Sequence, residues 1–283
     1  MAAFSPKEYL KNLRDLPPLP GVAMQALSVA EDPSSTASDL LRIIMSDPPL
    51  AAKVLKVANS VHFHRGYAVN DLQTAIVRLG FTNVRNLLMG VSVIRAFNTY
   101  FVGAPYTRED FWVHSIAVGV TASRLSGESV QLCASSSFVM GLLHDIGQLV
   151  LDRSAREAFG QAIRTAQDGR IPLYEAERRR LGCDHSAVGG ELLASWRFPH
   201  ELVEPIRWHH EPERCEGVHR PHAYLLEAAD WICDEFKIGS SANEHPTKPS
   251  SETMRDLNMT DESIRTLVDA VRSEPLLTLL LPV

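Results

Sequence analysis

Apolar residues recur at three-to-four spacing along almost the whole chain, and no stretch shows sustained period-two alternation between Asn-Gly or Asp-Gly turns. A helical side-chain period cannot lie down as a half-buried strand, so an all-α fold is expected. VAMQALSVA at 22–30 and LLRII at 40–44 show the period, and the second run follows Ser and Thr residues of the N-cap type. SDPP at 46–49 places prolines where a first helical turn tolerates them, and LAAKVLKVANS then reads as a helix ending near Asn59. Asp71–Gly80 opens on an acidic cap and closes on a glycine able to take the left-handed C′ conformation. FTNVRNLLMGVSVIRAF repeats the pattern, with Thr82 or Asn83 as its cap.

The pattern breaks at VGAPYT, residues 102–107. A second helical block follows, read as 108–125, 137–151, 153–167, 172–181, 185–196, 201–209 and 223–236. SSANEHPTKPSS at 240–251 is polar and proline-containing and reads as a loop or linker. Thr260 caps a short C-terminal helix with acids in its first turn. The expected organisation is an N-terminal lead over 1–12, a helical lobe over 13–101, a second lobe over 108–235, and a linker with a helical appendage over 236–283.

Composition narrows the function. Of 283 residues, 45% are apolar and 22% charged, which is ordinary for a globular chain and excludes disorder as its dominant state. A net charge of −6 supplies no global basic field, so nucleic acid is disfavoured as a partner. No run of about 18 apolar residues is present, so no membrane span is expected. The start, MAAFSPKEYLKNLRDLPPLP, lacks an apolar signal core, and a cytoplasmic location is expected. Four cysteines with no CxxC spacing argue against a thiolate zinc site and a disulfide framework.

Histidine is the unusual component: there are eleven, several of them clustered. His114 lies in EDFWVHS, four residues after Asp110 and on the same helix face. His144 and Asp145 stand amid apolar residues in GLLHDIGQL, His185 in DHSAVGG, His209 and His210 in RWHHEP, and Asp230 in EAADWI. A buried aspartate needs a partner. Imidazole nitrogens and carboxylate oxygens without thiolate suit Fe, Mn, Zn or Ni. The candidate metal ligands are therefore His114, His144, Asp145, His185, His209, His210 and Asp230, with Asp110 as a further possibility. Asp145, with two oxygens, is the natural centre of the group. Trp112, Phe138, Leu142, Leu143 and Trp231 are expected to wall it. Taken singly, a histidine on an apolar helix is more often a satisfied core residue than a ligand, and His209–His210 before Glu-Pro equally reads as a helix-end cap. The ordered set is what points to a site.

The order and flanks of these residues resemble the HD superfamily of metal-dependent phosphohydrolases, and within it the HDOD (HD-related output domain) family. The resemblance covers about residues 13–235. LPPLPGVAMQAL, DPPLAAKVLKVANS and LQTAIVRLGFTNVRNLLMGVSV carry it in the first half; FWVHSIAVGVTA, FVMGLLHDIGQLVL, HSAVGGELLASWRFP and EPIRWHHEP carry it in the second. It implies an HD-type helical bundle with an N-terminal helical lobe, and a signalling or regulatory role.

Two departures bear on chemistry. HD-GYP enzymes, which cleave cyclic di-GMP, carry HDIGK and a Gly-Tyr-Pro loop after the paired histidines. Here Gln148 takes the Lys place, and EPERCEGVHRPH follows His210 without that loop. The resemblance thus leads to a regulatory output module acting through protein partners, with an HD-like cluster able to bind metal. The alternative is an active metal-dependent phosphohydrolase on a nucleotide or phosphodiester. ERRR at 177–180 reads as a solvated helix face, and Met24, Met45, Met89 and Met140 as core gap-fillers.

Overall fold

Every regular element among the described residues of the computed structural model is helical; these residues are 5–12, 18–32, 34–59, 67–97, 106–127 and 134–281. In chain order the helices are α1 (Pro6–Asn12), α2 (Gly21–Glu31), α3 (Ala37–Met45), α4 (Pro48–Ala58), α5 (Leu72–Leu79), α6 (Phe81–Phe97) and α7 (Arg108–Leu125). Then follow α8 (Ala134–Leu143), α9 (Ile146–Ser154), α10 (Arg156–Gly169), α11 (Leu173–Leu181), α12 (His185–Ser195) and α13 (His200–Arg207). Two 3₁₀ turns, Pro212–Arg214 and Gly217–His219, lead into α14 (Arg220–Glu235), α15 (Ser251–Asp256), α16 (Asp261–Arg272) and α17 (Leu276–Leu279).

Local chemistry sets many of the boundaries. Asp47 accepts from the Leu50 N–H at 3.0 Å and Asp71 from the Thr74 N–H at 2.7 Å, each satisfying an orphan donor of a first turn. Thr36 and Asp39 form a reciprocal capping box on α3. Thr260 accepts from the Ser263 N–H at 3.1 Å. α6 starts at Phe81, directly after Gly80 at φ 85°, so neither Thr82 nor Asn83 is its cap. The expected break at 102–107 lies outside the described residues except for Tyr106 and Thr107.

Two compact units divide the chain: Pro17–Thr99 with Ser273–Val283, and Met1–Leu16 with Tyr100–Arg272. In the first, the middle of α6, residues 86–94, is buried on every face, and α2 packs along the helix. Met89 is buried there, whereas Met24 and Met45 are more than half exposed. Leu40, Ile43 and Ile44 form the inward stripe of α3, and Met45 falls off it.

In the second unit α7 is the central helix and crosses α8 backbone to backbone. A Cβ on Gly141 would lie 2.5 Å from the Gly119 Cα, so only hydrogen fits at the crossing. The expected helix over 137–151 is in fact two, α8 and α9, separated by a turn at His144–Asp145. The cause is tertiary. Any Cβ on Gly147 would strike the His185 carbonyl and the Gly189 N–H, so the start of α9 is pressed onto the start of α12. Residues 240–250 form the expected loop, but a packed one. Ser240 N–H donates to the Asp110 carbonyl at 3.1 Å, and Asn243 accepts from the Leu173 N–H at 3.2 Å. No helix among the described residues is long and apolar enough to cross a membrane.

Candidate metal centre

Five separate segments deliver the candidate ligands to one place. The α7–α8 crossing sets His114 beside the His144–Asp145 turn, and the α9–α12 contact adds His185, the first residue of α12. Asp184, the N-cap of α12, accepts from the Ala187 N–H at 2.8 Å and so fixes where His185 starts. His209 and His210 occupy the turn after α13, and Asp230 projects from α14.

Asp230 Oδ1 is 3.1 Å from His114 Nε2 and 3.2 Å from His144 Nε2. Asp145 Oδ2 lies 3.4 Å from His144 Nε2 and 3.8 Å from His114 Nε2, while its Oδ1 lies 3.1 Å from His185 Nε2. Both carboxylates therefore face the same His144 nitrogen. His185 Nε2 is 2.8 Å from His210 Nε2, and the His209 ring packs against His144, His185 and His210 with centroids 5.2, 5.7 and 3.9 Å away. All seven candidates converge, and all but the half-buried His210 are buried. Asp110 stays outside. It is exposed one turn before His114 and spends its carboxylate on the Thr107 hydroxyl at 2.6 Å, as part of the start of α7.

The rings are oriented from behind. His144 Nδ1–H donates to the Gly141 carbonyl at 2.7 Å and His209 Nδ1–H to the Ile206 carbonyl at 2.8 Å. A carbonyl can only accept, so Nδ1 carries the proton and Nε2 is the nitrogen turned inward. Three trios of donor atoms lie within 4.8 Å of one another: His114–His144–Asp230, His144–Asp145–His209 and His185–His209–His210. Asp145 Oδ2 and His209 Nε2 are buried without a hydrogen-bond partner. Orphaned inward donors of this kind are what a bound cation would satisfy, so the residues fit a divalent transition metal.

The histidines and carboxylates of the centre shift one another's protonation. Burial opposes protonation of His114, but its hydrogen bond to Asp230 and the charges of Asp234, Asp230 and Asp145 outweigh it, raising the pKa to about 9. His144 and His185 are also raised against burial, His144 by Asp145 and Asp230, His185 by Glu177 and Asp145. His209 goes the other way, to about 4, through burial and the neighbouring His144 and His185. Asp145 and Asp230 are held below the carboxylate range, because the histidines overcome burial.

Trp112, Phe138, Leu142, Leu143 and Trp231 are all buried, and Trp231 lines the cavity at Asp230. Residues that escaped the sequence reading surround the ligands. Glu177 is fully buried and touches His185; Asp234 faces His114 Nδ1 at 3.7 Å; Tyr174 stacks on His210 at 4.5 Å. Asp234 carried a usable signal, four residues after Asp230 on the same helix face. Arg178 is half-buried: it bonds Asp184 at 2.5 Å and Glu211 at 2.8 Å, while Arg179 and Arg180 are exposed.

The architecture is an all-α bundle with a converged His/Asp centre. The model of the HDOD domain matches residues 16–212, and the chain belongs to that family. A Geobacter sulfurreducens HDOD domain protein of unknown function shares the fold with a TM-score of 0.73 at 22% identity, over 95% of this chain and 92% of that one. A candidate signal transduction protein from Marinobacter aquaeolei VT8 has a TM-score of 0.72 at 25% identity, over 96% of this chain and 59% of that one. A candidate phosphohydrolase from Shewanella amazonensis SB2B has a TM-score of 0.68 at 23% identity, over 96% of each chain. An uncharacterized protein of Treponema pallidum (strain Nichols) is 24% identical over 208 residues; the match covers 73% of this chain and 40% of that relative.

Proposed function

We propose that the chain is a signal-transduction output module that works by docking a regulatory protein partner, with a metal held in its His/Asp centre as a fixed part of the fold. The observation that carries this reading is the closure of the centre. The cavity beside Asp230 and His210 measures about 20 Å³ and is lined also by Tyr174, Glu227, Trp231, Asn243, Pro246 and Thr247. That is room for about one water, against the roughly 300 Å³ or more of a small-molecule site. Gln148 adds to this reading: it is buried and accepts from the Tyr106 hydroxyl at 2.8 Å, so it is turned to the core and offers phosphate no cation. Iron, manganese, zinc and nickel all match the donor set. The proposed compartment is the cytoplasm, which suits the free, buried Cys183, Cys215 and Cys233.

One observation favours the alternative of a metal-dependent phosphohydrolase acting on a nucleotide or phosphodiester. The donor set is complete and includes two atoms without partners. This reading requires residues 240–250 to move aside. The test uses the full chain purified without a histidine tag. Elemental analysis should find bound metal, and panels of phosphodiesters and nucleotides should show no turnover above metal-containing buffer. Turnover that disappears in Asp145→Asn overturns the module reading, and a chain that takes up no metal overturns the metal reading.

A further inference from the structure

Helix α11 carries three residues at i, i+3 and i+4, Tyr174, Glu177 and Arg178, which therefore share one face. Each grips part of the centre without belonging to the ligand set. Tyr174 stacks on His210 with ring planes 18° apart. Arg178 ties Asp184, the residue before His185, to Glu211, the residue after His210. Glu177 makes the most specific contacts. Its Oε2 accepts from the His185 backbone N–H at 2.9 Å and lies 2.7 Å from His185 Nδ1. One oxygen thus holds both the backbone and the ring of the same residue. His185 Nε2 points the other way, to Asp145 Oδ1 and His210 Nε2.

We propose that Glu177 is the positioning residue for His185, fixing its ring so that Nδ1 keeps the proton and Nε2 faces the space shared with Asp145, His209 and His210. The inference rests on the metal reading given above and extends it to a residue outside the ligand set. His144 and His209 have their Nδ1–H held by backbone carbonyls of their own preceding helical turn, so their orientation is local. His185 cannot be held in that way. It is the first residue of α12, with no helical turn of its own before it, and its Nδ1 has to be met from another helix. A carboxylate behind a ligating imidazole fixes the tautomer and raises ligand basicity, and losing it costs about 10–100-fold in metal affinity.

The experiment measures Mn²⁺ and Zn²⁺ affinity by chelator competition for the full chain and for Glu177→Ala and Glu177→Gln, with helix content and unfolding midpoint recorded in chelator. Glu177→Ala should bind about 10–100-fold more weakly. Glu177→Gln keeps an acceptor oxygen of the same shape and should recover part of that loss. An unchanged affinity in Glu177→Ala, with or without a lowered midpoint, leaves Glu177 a purely structural residue and overturns the inference while the metal reading stands. A wild-type chain that binds neither ion overturns both. Should Glu177→Ala fail to fold, Glu177→Gln decides alone: weakened binding supports the role, and wild-type binding overturns it.

Discussion

Replacing Asp145 by Asn keeps the shape of the side chain and removes one of the carboxylates that balance the histidines. Asp145 sits 3.1 Å from His185 Nε2 and 3.4 Å from His144 Nε2, and both histidines owe part of their raised pKa to it. In the metal-free protein the variant leaves His144 in a buried space with Asp230, 3.2 Å away, as its remaining counter-charge, and His185 with Glu177, 2.7 Å away. Removing one partner of a buried pair costs about 3–5 kcal/mol. The sign of the pH dependence follows from linkage. A histidine whose folded pKa lies above its unfolded value contributes stability that is fully present below the unfolded value, 6.5, and lost as pH rises through the folded one, about 9 for His114. The variant lacks part of that contribution, so its deficit should be largest near pH 6 and shrink toward pH 9. Urea unfolding of chelator-treated wild type and Asp145→Asn at the two pH values measures this. A deficit below about 1 kcal/mol at pH 6, or one equal at both pH values, refutes the charge-balance account.

Metal uptake should release protons, because His114, His144 and His185 are held charged without it; affinity should rise from pH 6 toward pH 9. Calorimetry in buffers of different ionisation enthalpy detects this, and a heat independent of buffer contradicts it. Gly141→Ala should destabilise the chain by about 1–3 kcal/mol in thermal unfolding, since its methyl group meets the Gly119 backbone at the α7–α8 crossing; an unchanged melt would mean that the crossing yields freely. Asn243→Ala removes the bonds to Asp234 and to the Leu173 N–H, and should speed hydrogen exchange over 240–247 while leaving α7 protected. Equal exchange in both proteins would show that Asn243 does not hold this segment.

The helical fold was legible because it is written in local chemistry. Caps such as Thr36, Asp71 and Thr260 act within one turn of themselves, and the apolar period needs only a dozen residues to declare itself. The break between α8 and α9 was not legible for the converse reason. MGLLHDIGQLVL is a continuous helical pattern, and what interrupts it is the backbone of α12 lying against Gly147, forty residues away in sequence. The consequence falls on the chemistry: His144 and Asp145 leave a turn rather than a helix face, which lets neighbours aim at the same point.

The ligand segments could be found because histidine and aspartate are costly to bury unless something inside needs them, so their recurrence in apolar surroundings is itself a signal. Glu177 gives no such signal. YEAERRR has the composition of a solvated helix, and only the fold shows that one of its faces is turned inward. The same holds for the loop at 240–250, whose polar residues look like linker and instead bond Asp234 through Ser241 and Asn243 at 2.7 and 2.8 Å. Asp234 in turn faces His114. The candidate ligands are thus placed by their own helices and turns, but their orientation and enclosure also depend on segments that carry no candidate ligand. A chain could keep all seven donors and still lose the centre through α11 or through this loop, so the donor set alone does not decide what such a domain does.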